Sequence, residues 1–578
     1  MFIPKLFTTL ATYDRRQFAA DLSAGVVVGI VALPLCIAFA IASGVTPERG
    51  LYTGIVGGLL ISLLGGSRVQ IGGPTGAFVV IVYGIVQRYG IDGLIVATLM
   101  AGVILVILGA TGMGGAIKFI PFPVTVGFTS GIALIILSSQ VKDFFGLPMG
   151  AVPAPFFEKW AAFWHHAGSV NPSAFLIATL TVALLILWRR LETRVPGPMV
   201  ALVVVTGLVH VFGLPVETVG GRFGPIDASL PHPVLPHLTF AQVTALVGPA
   251  FVIAILAAIE SLLSAVVADG MIGARHRSNM ELVAQGVANI VSPLFGGIPV
   301  TGAIARTATN VKNGGRTPVA GIVHALTLLL ITLFFGRWAG LIPLAALAGI
   351  LVLVAYQMSE WRVFRSELRA PRSDAVVLVV TFLLTVVVDL TVAIAVGMVL
   401  AAFLFMRRMA AVANVRFVTR EFADQSEEEV DPNAVERRNV PRTVEVYEID
   451  GPFFFGAAEK FKETLGEIGG TPRVLILRMR HVPAVDSTGL RALRDIVRRS
   501  RTDGTLVLLS DVHAQPMVAI SRSDLLDELG EANVFGNIDD ALNRAREHIG
   551  LPTAERPLYA TPTVARETPA TGVDRGEG

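Results

Sequence analysis

From Ser23 to Met406 the chain repeats apolar runs separated by short polar or Gly/Pro-rich links. A helix needs about twenty apolar residues to cross hydrocarbon, and about fourteen runs of roughly 15 to 25 residues come near that length. They centre on Val31, Gly58, Val80, Leu105, Ala133, Leu180, Val204, Leu256, Ala288, Ala305, Leu328, Leu347, Val380 and Val396. The pattern predicts an α-helical polytopic membrane domain over residues 21–408, after a short N-terminal segment, 1–20, that carries no removable signal. The runs near Val80 and Ala305 are too short and too rich in Gly and Pro to be simple spans.

The pattern changes after Arg407 and Arg408. Residues 409–440 are polar and read as a linker, and from about 441 to 550 short alternating runs predict a small α/β domain. Val444 to Ile449, Val474 to Leu477 and Thr505 to Leu509 read as its strands, with Ala457 to Ile468 and Ser487 to Ser500 as helices. A tail, 551–578, rich in Thr, Pro, Ala and Gly, is expected to be disordered.

Composition supports the membrane reading, because 53% of the 578 residues are hydrophobic and 16% charged, too few charges to coat a soluble surface. A net charge of +2 gives no sign of a nucleic-acid partner. Cys36 is the single cysteine, which rules out an intrachain disulfide or a cysteine zinc cluster. Orientation follows from the basic residues of short links: Lys5, Arg15 and Arg16, then Arg189, Arg190 and Arg194, then Arg275 and Arg277, then Arg362 to Arg372 share one side in a fourteen-span chain. That side is expected to be cytoplasmic, in a plasma or inner membrane, with the links Val141 to Pro172 and Gly213 to Thr239 outside.

The two short runs open on similar loops, Gly72-Gly73-Pro74-Thr75-Gly76 and Gly296-Gly297-Ile298-Pro299-Val300-Thr301-Gly302. Pro34 lies 40 residues before Pro74 and Glu260 39 before Pro299, while Pro121 and Pro343 follow at 47 and 44. This spacing predicts two inverted copies of about seven spans, near 21–213 and 244–408, the plan in which paired interrupted helices hold the substrate. Helix starts attract anions through their N–H groups and the positive end of the helix dipole. Two such starts facing each other would make a site for a small anion, with Thr75 and Thr301 as hydroxyl donors and Arg306 adding full charge one turn into the second half-helix.

Glu260 lies within the apolar run Phe251 to Val267, where a lone carboxylate is costly and reads by default as functional; a proton site is the natural assignment. Asp269 lies nearer the cytoplasmic end of that helix, and Asp389 is a weaker candidate. His165, His166 and His481 lack metal-ligand spacing, and no metal, cofactor or enzymatic activity is expected. In the C-terminal domain Ser487 and Thr488 fall at a helix start, as caps or as sites where phosphorylation would meet a favourable dipole.

These residues resemble the SulP family of anion transporters, which includes mammalian sulfate/chloride exchangers and prestin. The likeness is carried by Pro34 to Tyr52 (PLCIAFAIASGVTPERGLY), Gly73 to Gly76, Glu260 to Gly270 (ESLLSAVVADG), Asn279 to Asn310 and Ile342 to Val354. Val485 to Leu490 (VDSTGL) is similar to the strand-to-helix loop of a STAS domain. The resemblance implies a core and a gate domain moving by an elevator-like displacement, a homodimer, a STAS domain with a partner that it does not identify, Phe39 as the aromatic of the substrate site, and Gly73, Pro74, Thr75, Gly302, Ala303 and Arg306 as its half-helix residues. It also implies carriage of sulfate, bicarbonate, chloride, oxalate or dicarboxylates. Sodium-coupled bicarbonate members resemble this segment with Asp at position 260 and Thr at 264 and 304. Here Ile304 has no oxygen for sodium, which favours proton symport of a dicarboxylate, sulfate or bicarbonate over sodium coupling or an uncoupled channel or exchanger.

Overall fold

The computed structural model describes residues 2–11, 13–115, 121–150, 152–153, 155–190, 196–225, 233, 236, 240–388, 390–412, 414–417, 435, 438–454, 461 and 472–555. Residues 1–401 form one compact unit and 402–578 a second. The expected helix Ala457 to Ile468, Asp389, most of the linker and nearly all of the tail lie outside the described residues.

Fourteen of the described helices in the first unit and its exit set out the architecture. They are α1 (Arg15–Ala42), α2 (Pro47–Tyr52), α3 (Gly58–Leu64), α4 (Gly76–Ala110), α5 (Phe122–Ser139), α6 (Pro172–Trp188), α7 (Gly197–Phe212), α8 (Val247–Ile272), α9 (Ser278–Leu294), α10 (Ile304–Lys312), α11 (Val319–Ala339), α12 (Leu344–Met358), α13 (Arg372–Val387) and α14 (Leu390–Val412). A π turn, Thr53–Gly57, joins α2 to α3. Two-residue strands β1 (Gly72–Gly73) and β2 (Thr301–Gly302) precede α4 and α10. Each apolar-run centre named above falls within a helix; the run near Ala305 is the nine-residue α10, and that near Val80 is the first arm of α4.

The helix boundaries follow local chemistry. Asp14 caps α1 by accepting from the Gln17 N–H, and Asn171 caps α6 by accepting from Ser173 and Ala174. Pro121 and Pro343, the matched prolines of the two repeats, both stand in extended backbone at the N-caps of α5 and α12. The runs near Val80 and Leu105 are not separate helices: α4 is continuous in sequence but breaks at Gly90, whose φ of 70° suits glycine. Seven described helices are long and apolar enough to cross a membrane alone, or eight if Phe156–Ser169 and Pro172–Trp188, bent by 114°, form one span. The others are shorter because glycine and proline interrupt them, as transporter half-helices are.

Two bundles are visible in the helix contacts. One combines α1, α3, α4, α8, α9, α10 and α11; the other combines α5, α6, α7, α12 and α13. Glycines let backbones meet within each. A Cβ on Gly102 of α4 would lie 2.7 Å from the Gly286 carbonyl oxygen of α9, and one on Gly286 would lie 2.6 Å from the Gly102 oxygen. In the second bundle a Cβ on Gly127 of α5 would lie 2.5 Å from the Leu378 carbonyl of α13. Small residues of this kind are the usual means of helix association in lipid, where apolar burial gives no driving force.

The second unit is an α/β domain. Its sheet runs β3 (Asn414–Phe417), β4 (Val444–Asp450), β5 (Val474–His481), β6 (Leu506–Ser510) and β7 (Val534–Phe535), with β3–β4 antiparallel and the rest parallel. Helices α15 (Ser487–Thr502) and α16 (Ile538–His548) follow β5 and β7. Helix α14 continues to Val412 and β3 starts at Asn414, so the stretch expected as linker from 409 to 440 opens with ordered structure. Pairing with β4, rather than local hydrophobicity, makes that strand. Asp486, not Ser487 or Thr488, caps α15 by accepting from the Gly489 N–H at 2.7 Å, because its side chain is one position earlier in extended backbone.

The reciprocal contact of Gly102 and Gly286 gives a stability test. Gly286→Leu should destabilise the membrane domain by about 1–3 kcal/mol, the usual range for overpacking, and lower its melting temperature in detergent. Gly115→Leu, where nothing lies within 4 Å of a built Cβ, should leave it unchanged.

Candidate functional site

The two half-helices meet through their strands. β1 and β2 pair antiparallel, Gly72 opposite Gly302 and Gly73 opposite Thr301, so α4 and α10 start from one small ladder and diverge. Neither start is closed by a side chain: the N-cap residues Thr75 and Ala303 are extended and make no side-chain capping bond. Two helix dipoles, each about half a positive charge at its start, therefore converge at the centre of the first bundle.

Glycine leaves room for side chains that press against the strands and helix start. A Cβ on Gly302 would lie 1.5 Å from Gln70 Nε2, and one on Gly73 would lie 2.0 Å from Arg306 Nη1. A Cβ on Gly76 would contact the Phe39 ring at 3.4 Å, Ile136 of α5 at 3.3 Å and Met358 at the end of α12 at 3.3 Å. Phe39, Thr75 and Gly76 thus stand where the first bundle faces the second.

Polar side chains of α8 and α10 hold the ladder. Thr301 Oγ1 lies 2.6 Å from Ser261 Oγ and donates to the Ala257 carbonyl at 3.2 Å. The Gly302 N–H donates to Ser261 Oγ at 3.3 Å, Gln70 Nε2 to the Ser261 carbonyl at 3.1 Å, and the Ile71 N–H to Thr307 Oγ1 at 3.0 Å. Ser264 Oγ in turn donates to Thr307 Oγ1 at 3.3 Å. Asn310 Nδ2 donates to the Val69 carbonyl at 2.9 Å, and Asn289 both donates to and accepts from Val300, at 2.7 and 3.0 Å. Backbone that is neither helix nor closed sheet survives at membrane depth only with such partners.

Thr75 Oγ1 donates to Glu260 Oε2 at 2.8 Å, which joins a half-helix start of the first repeat to α8 of the second. Among the described residues no protein donor reaches the other Glu260 oxygen. Arg306 is 2% exposed and lies behind β1, its Nη2 donating to the Pro74 carbonyl and its Nη1 without a hydrogen-bond partner among the described residues. Its guanidinium is therefore separated from the open side of the helix starts by the Gly73–Pro74 backbone. Thr301 is wholly buried and its hydroxyl is engaged with α8, whereas Thr75 and the neighbouring Ile304 are accessible. Asp269 accepts from both the N–H and Nδ1 of His276 at 2.7 Å, closing the turn after α8 away from the site.

Gln70, Ser261, Asn289, Thr307 and Asn310, which brace the site, do not stand out in the sequence, and Ser264 does so only as a position where sodium-coupled members carry Thr. The signal is present as polar residues three apart, 261 with 264 in the otherwise apolar α8 and 307 with 310 in the polar α10, at a spacing that puts each pair on one face.

The profile described as the sulfate permease family matches residues 18–381, and that of the STAS domain matches residues 431–541. The chain belongs to the sulfate permease family. YvdB of Bacillus subtilis, named as a sulfate-transporter candidate, is 41% identical over 531 residues, 91% of this chain and 98% of its own length. The bicarbonate transporter BicA of Picosynechococcus is 30% identical over 548 residues, 92% of this chain and 95% of that protein. The solved structure of murine solute carrier 26 family member A9, titled an anion transporter in the inward-facing state, covers 94% of each chain with a TM-score of 0.82 at 22% identity, a likeness of fold. Membership makes this protein a multi-pass membrane transporter of a sulfate and bicarbonate carrying family, with a C-terminal STAS domain, and not an enzyme.

In the STAS domain Ser487 and Thr488 occupy the exposed first turn of α15. Glu448, Asp450 and His481 bring three potential metal-ligand atoms within 4.8 Å of one another. The Arg478 guanidinium, 3.5 Å from Glu448 and 2.9 Å from Asp511, already supplies a cation there. Burial holds the Glu448 carboxyl above its usual range, with Arg478 opposing the shift.

The contact of Gly73 with Arg306 yields a direct test. Gly73→Ala should displace the guanidinium and shift β1, lowering anion affinity about tenfold or more. Gly115→Ala should bind normally, with both variants assayed by equilibrium binding of radiolabelled sulfate and bicarbonate.

Proposed function

We propose that the protein is a proton-coupled symporter of a small anion, and that the anion sits between the starts of α4 and α10. The observation that carries this reading is the pair of uncapped helix starts joined by β1 and β2, with Glu260 hydrogen-bonded to Thr75 at one of them. Gly73, Pro74, Thr75, Gly302 and Ala303 present backbone to the anion, Phe39 closes one side, and Thr301 fixes β2 to α8. Arg306 acts at one remove: it polarises the Pro74 peptide and adds charge behind the site without touching the anion.

Glu260 is assigned as the proton carrier. In its ionised form Oε2 accepts from Thr75, so a proton gained there changes the hydrogen bonding of a residue at the anion site. That is the differential interaction coupling requires. Sodium coupling has less support, since Ile304 offers no oxygen and Ser264 is committed to Thr307. The substrate class is that of the family, with sulfate, bicarbonate and C4-dicarboxylates the anions to try. Transport proceeds by sliding of the bundle that carries the site against the bundle of α5, α6, α7, α12 and α13, an elevator-like exchange in a homodimer of the plasma membrane. The STAS domain faces the cytoplasm, and phosphorylation of Ser487 or Thr488 would place negative charge at the favourable end of α15.

Proteoliposome uptake of labelled sulfate, bicarbonate and fumarate, with and without an inward proton gradient, tests the assignment. Wild-type uptake should follow the pH gradient and ignore sodium. Glu260→Gln, whose amide oxygen can still accept from Thr75, should lose that dependence while keeping exchange within about threefold. Uptake that tracks a sodium gradient and ignores pH would overturn proton coupling.

A further inference from the structure

A cavity of about 850 Å³ lies between the two bundles, toward the links at residues 141–172 and 213–225. Its charged lining is one-sided: Arg88, Lys142, Lys159 and Arg222 against the single carboxylate Asp143. Three of the four cations have evident roles or freedom. Arg222 is paired with Asp143 at 2.8 Å and with Glu217, Lys142 donates to the Gly150 carbonyl at 2.9 Å, and Arg88 belongs to the exposed end of the first arm of α4.

Lys159 is different. It sits on the connecting helix Phe156–His166 and is 4% exposed. Its Nζ donates to Ser139 Oγ at 3.2 Å, and among the described residues no carboxylate is paired with it. An ammonium with a neutral partner beside an open cavity is costly unless an anion shares it. The floor of the cavity includes Ala38 and Val79, and Ala38 is the chain neighbour of Phe39, so the cavity adjoins the half-helix starts.

We propose that this cavity is an anteroom in which Lys159 captures a small oxyanion before it passes to the half-helix site. Its transport arm rests on the anion-carrier reading; the binding arm stands without it. Opposite charge in a walled cleft raises the local concentration of the ligand and its rate of entry. The anteroom therefore acts on apparent affinity and leaves the translocation step alone.

Two measurements on the full chain test it, with sulfate and bicarbonate as probes. In proteoliposomes Lys159→Met should raise the KM for uptake about tenfold with Vmax within about twofold, and Lys159→Arg should restore KM. In detergent, either anion should protect Lys159 from a small amine-acylating reagent, read by mass spectrometry. An unchanged KM in Lys159→Met, a fall in Vmax alone in both variants, or acylation unaffected by either anion would overturn the proposal. If wild-type protein moves no anion but Lys159 is protected, the carrier reading fails and the capture site stands.

Discussion

The structure depends on a four-residue ladder. Pairing Gly72 with Gly302 and Gly73 with Thr301 lets two helices begin in the middle of a membrane domain, where water cannot satisfy free backbone groups. Every neighbouring choice serves that pairing. Glycine occupies both strands because Gln70 and Arg306 press against them, and Ser261, Thr307, Asn289 and Asn310 supply the donors and acceptors that the short strands lack. With the ladder fixed, the two helix starts have nowhere to point but toward one another's open side, and a region of positive potential results.

Arg306 shows why a residue's type does not give its position. An arginine one turn into a half-helix suggests a direct anion contact, yet the guanidinium folds back under β1 and donates to the Pro74 carbonyl. It acts as a brace and a fixed background charge. Glu260 shows the opposite: the costly lone carboxylate in an apolar run meets one short contact, the Thr75 hydroxyl, which ties α8 of the second repeat to the half-helix start of the first, where we propose the anion sits.

The spans, the inverted repeat and the α/β domain were legible because each rests on a local signal: apolar length, matched Gly/Pro loops, and strands alternating with helices. Pro121 and Pro343 fell at equivalent helix caps because proline at a helix start is a local preference. What the sequence concealed depends on distant partners. The strand at Asn414 exists through pairing with β4, Asp486 takes the cap expected of Ser487 or Thr488 through backbone geometry, and the buried Lys159 comes to line a cavity through the 114° bend between its helix and α6. The residues bracing the ladder were overlooked because each is an unremarkable polar side chain until the opposing repeat is in place.

The central claim is that the anion lies between the starts of α4 and α10, and a structure of the full chain with a heavy oxyanion tests it most directly. Selenate, located by anomalous scattering, should sit within hydrogen-bond reach of the backbone N–H groups that open both helices, beside Thr75 and Phe39 and in front of the Gly73–Pro74 peptide that screens Arg306. Selenate found only elsewhere, with the space between the helix starts empty at saturating concentration, would contradict the account.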